Sequence, residues 1–336
     1  MHDLTAFDAA AILIVLAAAL GYFNYRVLGL PSTVGLTVMG TLASLLVVAY
    51  DKLVPSSTLA DQLGTFLADI DFSTTLMEGM LSFLLFAGAM HVNWTHMRKG
   101  RWPILIFSTI GVLLSTAIVG FAFQFLTLAL GIEIPLIWCL VFGALISPTD
   151  PVSVMAVMKR AAMPDTLQAT VAGESLFNDG IGVVVFTILI AIATGTEAFT
   201  WGFAISHFMQ EALGGAALGL TVGWIGYLAM KSIDEYVIEV MISLAVVMGG
   251  YSLAMGLHVS GPVAMAVAGL IIGNAGMANA MSEVTRDHVV KFWTLIDEVL
   301  NAVLFLLIGL EVIALDFRPA YLAAGAGAIL IGWPRG

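Results

Sequence analysis

Stretches of roughly 20 consecutive apolar residues, the length needed to cross a bilayer, recur from one end of this chain to the other. Ten full segments and one shorter one run over about 9–27, 33–50, 71–91, 103–130, 134–159, 166–194, 203–230, 235–256, 260–279, 287–315 and 319–335. Breaks fall at polar or Gly/Pro-rich points such as LGLPST, VPSSTLADQ, MRKGRWP and KRAAMPD. Only 10% of the residues are charged, against about 25% in soluble domains, and mean hydropathy is +1.02. The expectation is an all-α polytopic membrane protein with one transmembrane domain over 1–336 and no room for a separate soluble domain. Lipid is then the solvent for most side chains. The acidic start MHDLTAFD lacks the positive n-region of a cleaved signal, so the first segment reads as a retained helix. The single Cys139 excludes an internal disulfide and reads as a small core residue. The net charge of −11 comes from scattered acids and few bases, and says little about partners.

The bases set an orientation. With the N-terminus outside, the inside connections hold Arg26, then Arg98, Lys99 and Arg101, then Lys159 and Arg160, then Lys231, and finally Arg286 and Lys291. Those are nine of the twelve Lys and Arg. Lys52 and Arg318 fall outside, and Arg335 lies at the chain end. The positive-inside rule therefore expects an outside N-terminus.

A weak internal repeat is present. PSTVGLTVMG (31–40) and GPVAMAVAG (261–269) both place a Val six residues before a Gly. Each is followed by a similar run, LSFLLFAG (81–88) and AVLFLLIG (302–309). The copies start on opposite sides, as in the inverted repeats of secondary transporters.

An ionisable side chain inside the membrane is costly and marks function by default. Asp150 lies in ALISPTDPVSVMAV between Pro148 and Pro151. Pro148 frees the carbonyl of Ala144 and Pro151 that of Ser147. A helix broken at membrane depth must be buried in protein or line a wet cavity, and transporters bind ions at such breaks. Ser147, Thr149 and the freed carbonyls are hard oxygen donors suited to a small alkali cation. A plain kink, with Asp150 capping the next half-helix, is the bland alternative.

GESLFNDGIG (173–182) places a second group of polar residues within segment 166–194. Residues four apart share a helix face, so Glu174 aligns with Asn178 and Ser175 with Asp179. Asn and Ser suit interhelical hydrogen bonding. The Asp179 carboxylate needs a partner or a proton. A site holding either a proton or a cation, never both, is the minimal exchanger.

Glu78, about two turns inside segment 71–91, reads equally as a further ligand or as a residue reaching the outer surface. Asp297 and Glu298 read as interfacial, and Asn301 as able to bond across helices. Gly215, Gly219 and Gly223 follow the small-xxx-small pattern of close helix packing. His91, His96 and His258 have no metal-like spacing.

ALISPTDPVSVMAVMKR, VAGESLFNDGIGVVVF and FWTLIDEVLNAVLFLLIGLEV together resemble the NhaP-type sodium/proton antiporters, monovalent cation/proton antiporters of bacteria. The resemblance implies thirteen helices in two six-helix inverted repeats, with a core domain that moves against a dimerisation domain. The first repeat would cover about 1–195, the linking helix about 200–230 and an incomplete second repeat about 235–336. Asp179 would bind proton and sodium, with Thr149, Ser175 and Glu78 as further ligands. Asp150, Pro148 and Pro151 would support the broken helix, and Glu174 and Asn178 would face an arginine. One titrating carboxylate implies electroneutral exchange. The family continues past AILIGWPRG into an arginine-bearing helix and a second broken helix, so a truncated chain with about 11 of 13 helices is expected, possessing no match for that arginine in its Arg335 setting.

The implied function is exchange of sodium or lithium for protons by alternating access in a multi-pass plasma membrane protein. The implied protein is no enzyme, carries no cofactor, binds no nucleic acid, and works in the bilayer as a homodimer on monovalent cations and protons. A potassium/proton antiporter and a non-transporting remnant are the rivals. A remote one is an intramembrane aspartyl protease with Asp150 and Asp179 as a dyad.

Overall fold

The computed structural model describes residues 6–54, 79–149, 158, 161–197, 199–315 and 319–332. These residues form eleven helices and no strand. The helices are α1 (Ala6–Phe23, continued by a π turn over Asn24–Leu28), α2 (Ser32–Leu53), α3 (Leu81–Met90), α4 (Trp94–Ala129), α5 (Leu136–Ile146) and α6 (Asp165–Ala193). After them come α7 (Trp201–Lys231), α8 (Tyr236–Leu257), α9 (Gly261–Asn279), α10 (Glu283–Leu310) and α11 (Pro319–Gly332). They follow the apolar segments one for one. Seven of them are long and apolar enough to cross a membrane. The chain is therefore a multi-pass membrane protein. The helix α10 is long too, but its sequence carries six charged residues, all before Val299.

Local chemistry sets the ends. Asn93 opens α4 by accepting from the backbone N–H groups of Thr95 and His96, and Thr200 and Ser260 cap α7 and α9 in the same way. These side chains satisfy donors that a helix start leaves open. His258 ends α8 in a left-handed conformation at φ 54°. The basic run MRKGRWP does not break the chain as expected. Asn93 has already started the helix, Arg98–Gly100 tightens into a 3-10 turn inside α4, and Pro103 falls in the first turn of the α-helical stretch that resumes at Arg101, where its missing N–H costs little.

Burial inverts the soluble pattern, as it should in lipid. In α7 the buried face is Ala212, Gly215, Gly219, Gly223 and Gly226, while Leu213, Leu220 and Ile225 face outward. A Cβ on Gly215 would meet the Ser260 carbonyl at 2.6 Å, and one on Gly223 the Ala268 Cα at 2.9 Å. The glycine run is thus the seam along which α7 and α9 touch, which is how small residues drive packing in membranes.

The chain divides into two compact units, residues 1–84 with 293–316 and residues 85–292 with 317–336. In the first, Leu13 and Ala17 of α1 pack with Val303, Leu306 and Leu307 of α10. The second holds α4 to α9. The repeated motifs pair crosswise within these units. In the first unit Gly40, from PSTVGLTVMG, lies against Leu306 and Gly309 of AVLFLLIG. In the second unit Gly269, from GPVAMAVAG, lies against Phe86 of LSFLLFAG and its neighbour Ala89. Each early motif therefore packs on the late motif of the other copy.

Asn301 donates to Asp297 Oδ1 at 3.2 Å, one turn back on the same helix. The expected bond across helices is instead a bond along α10.

A hydroxyl and amide clamp between the end of α5 and α6

α5 stops at Ile146, two residues before Pro148. Proline has no N–H to offer the helix and its ring crowds the preceding turn. Ser147 Oγ turns back to donate to the Gly143 carbonyl at 2.6 Å and accepts from Thr116 Oγ1 of α4 at 3.3 Å. Both hydroxyls are buried, Thr116 to 4% and Ser147 to 5% exposure. Close helix approach permits this contact. A Cβ on Gly143 would run into the Thr116 carbonyl, and one on Gly120 would lie 3.0 Å from Leu140 Cα.

Past Ser147 the chain bends at Pro148, leaves the helical path and lies on α6. The Pro148 ring occupies the space where Gly182 has no side chain. Ser175 Oγ donates to the Thr149 carbonyl at 2.5 Å, and Asn178 Nδ2 donates to Thr149 Oγ1 at 3.1 Å. Three residues apart, Ser175 and Asn178 share one face of α6 and are almost fully buried. They hold the backbone and the side chain of one threonine. The Asn178 amide oxygen is buried and makes no hydrogen bond among the described residues. An amide oxygen accepts two bonds, so this atom is an open acceptor beside Thr149.

The expected pairing of Glu174 with Asn178 is present, and burial divides the four residues. The buried face pairs Ser175 with Asn178, while Glu174 and Asp179 flank it half-buried. The Glu174 carboxyl lies against the Asn178 side chain. Gly180 lets Val263 of α9 approach, since a Cβ there would lie 3.0 Å from its Cγ2. Glu78, Asp150 and Pro151 lie outside the described residues, and with them the separation of Asp150 from Asp179.

Two buried polar groups escape a reading based on helix breaks. Thr116 sits in an ordinary apolar stretch, with no local signal that it faces Ser147. Glu239 of α8 is fully buried, and neither carboxyl oxygen makes a hydrogen bond among the described residues. Its signal was available, since it is a single acid in the run YVIEVMISL.

Comparison with known proteins agrees with this architecture. The family described as "Sodium/hydrogen exchanger, transmembrane" matches residues 12–332. The Na(+)/H(+) antiporter NhaP of Pseudomonas aeruginosa is 45% identical over 327 residues, covering 96% of this chain and 77% of that protein. The Na(+)/H(+) antiporter NhaH of Halobacillus dabanensis is 32% identical over 263 residues, covering 77% of this chain and 64% of that protein. The solved structure of the sodium proton antiporter MjNhaP1 from Methanocaldococcus jannaschii at pH 8 superposes with a TM-score of 0.71 at 20% identity, over 98% of this chain and 76% of that one, and so shares its fold. With a family match over nearly its whole length and the same arrangement of helices, this chain belongs to the transmembrane sodium/hydrogen exchanger family.

Proposed function

We propose that the chain exchanges sodium or lithium for protons by alternating access, one for one, with Asp179 as the group that carries proton or cation. The observation that carries this reading is the clamp itself. The chain leaving the end of α5 is held at Thr149 by Ser175 and Asn178, on the stretch of α6 that also bears Asp179. The relatives named above as Na(+)/H(+) antiporters support it.

The chemistry follows from the atoms. The Thr149 carbonyl keeps a second lone pair after accepting from Ser175. Thr149 Oγ1 and the open Asn178 oxygen add neutral oxygen donors, which suit a hard cation. A carboxylate supplies the charge. When Asp179 takes up a proton it loses that charge, and neutral oxygens alone hold a cation poorly. Proton and cation therefore compete at one carboxyl, and the cation is the transported substrate. In this reading Glu174 and Asn178 support the site, while Glu78, Asp150 and Pro151 belong to it through the family resemblance. Ser147, Thr116 and Gly182 set the break against α6.

The same proposal places the protein in the plasma membrane with the N-terminus outside, as a homodimer that needs no bound cofactor. Potassium is the alternative cation. The test is sodium- or lithium-driven proton flux in vesicles containing the purified chain. Asp179→Asn should fall to the level of empty vesicles, while Asp179→Glu should retain exchange at a shifted cation affinity. Flux in Asp179→Asn equal to its parent's would remove the assignment.

A further inference from the structure

The second unit contains a groove whose lining includes none of the residues assigned above to exchange. It has a cavity volume of about 870 Å³ and runs beside the seam of α7 and α9, with Leu220, Ala216, Val267 and Ile271 along its walls. That volume lies within the range of about 300–1,000 Å³ typical of small-molecule sites. The polar groups gather at one end, where Asn93, Asn274, Asn279 and Arg286 line the mouth. Trp94 and Trp224 also line it, and each is about half exposed, at 50% and 53%.

This is a graded site, apolar along its length and cationic at one end. The amphipathic ring of tryptophan favours the membrane–water interface, which puts the mouth at headgroup depth and the walls at acyl-chain depth. Arg286 is exposed and has no ion-pair partner among the described residues. The nearby Asp287 is already paired with Lys291 at 2.6 Å. Arg98, Lys99 and Arg101 follow in the turn just after Thr95, another residue of the mouth. A juxtamembrane base near an anionic leaflet contributes about 1 kcal/mol of attraction, and guanidinium matches phosphate in a two-bond geometry.

We propose that this groove binds one anionic phospholipid, with an acyl chain lying along α7 and α9 beside their glycine seam and its phosphate on Arg286. The occupant follows from the charge at the mouth, since an uncharged chain would leave Arg286 unmatched. The site holds whether or not Asp179 carries the cation. Phe177 of α6 forms part of the wall, one residue before Asn178, so the lipid would press on the helix that bears the clamp.

Two measurements test it. The first is thermal unfolding of the full chain in detergent with added phosphatidylglycerol or phosphatidylcholine. Phosphatidylglycerol should raise the midpoint more. Arg286→Gln should lose that excess, Arg286→Lys should keep most of it, and Lys291→Gln should keep all of it. An excess that persists in Arg286→Gln, or disappears equally in Lys291→Gln, overturns the proposal. The second uses Leu220→Cys with Cys139→Ala, in vesicles. A lipid-soluble maleimide should label the thiol, and phosphatidylglycerol should protect it. Fast labelling by a charged, membrane-impermeant thiol reagent, unaffected by lipid, would show an aqueous passage in place of a lipid site.

Discussion

The two crossings built from the repeated motifs reach the same closeness by different chemistry. In the first unit, Gly40 and Gly309 face each other, and a Cβ on either would lie about 3.0–3.2 Å from the other's Cα. Hydroxyls finish that crossing. Ser44 Oγ donates to the carbonyls of Gly309 and Leu310 at 3.2 and 3.0 Å, and Thr37 Oγ1 reaches the Phe305 carbonyl at 3.2 Å. In the second unit, Gly269 and Gly273 lie directly on the backbone of Phe86 and Met90. There a single amide does the polar work. Asn274 Nδ2 donates to the carbonyls of Val92 and Leu270 at 2.9 and 2.8 Å, and its Oδ1 accepts from the Trp94 N–H at 2.7 Å. The repeat thus preserves a shape, two backbones close together, and leaves the hydrogen bonds free to differ.

That difference can be tested by substitution, with stability read as the thermal midpoint and monodispersity in detergent. Gly269→Leu should do most damage, because its side chain would meet the Phe86 carbonyl and Ala89, neither of which can rotate away. Overpacking of this kind costs about 3 kcal/mol or more, and the expected outcome is loss of the monodisperse peak. Gly309→Ala comes next, since its Cβ would sit 2.6 Å from the Thr37 carbonyl and 2.9 Å from the Thr41 nitrogen. One methyl can be partly relieved by a small helix shift, so about 1–3 kcal/mol is expected.

Polar substitutions should separate the crossings more finely. Asn274→Leu removes three bonds at once and should cost about 1–2 kcal/mol. Asn274→Asp keeps the acceptor for Trp94 but sets an acceptor-only carboxylate against the Val92 and Leu270 carbonyls, so it should cost at least as much. Ser44→Ala should cost least, about 0.6 kcal/mol, the average for a hydroxyl bond between membrane helices. If Ser44→Ala proved as damaging as Asn274→Leu, the contrast between a shared hydroxyl and a single anchoring amide would be wrong. If Gly269→Leu were tolerated, backbone closeness would not be what the repeat preserves.

The helices were legible because their signal is local. An apolar run long enough to span lipid needs no knowledge of its neighbours, and each of the eleven segments contains a helix among the described residues. The run MRKGRWP misled because polarity and a proline usually end a helix, whereas here the Asn93 cap lies upstream of both. The candidate site was legible in part. Pro148 announces a break, and a carboxylate in a membrane helix announces chemistry. Which α6 residues face the break was not legible. Counting by four pairs Ser175 with Asp179 and Glu174 with Asn178, but it does not say that Ser175 and Asn178 are the two that bond to Thr149, because the position of Thr149 over α6 depends on how α5 ends. Asn301 was misread for a related reason. An amide on a helix can bond along it or across it, and only the neighbouring surface decides.

The sequence by itself determined the solvent, the number of helices and the places where polar atoms must enter the membrane. Those follow from transfer free energies, which each segment carries alone. The tertiary structure decided which glycines touch which carbonyls, which hydroxyl holds Thr149, and that Arg286 stands at the end of an apolar groove. Such contacts join residues distant in the chain, and their geometry comes from the packing of whole helices.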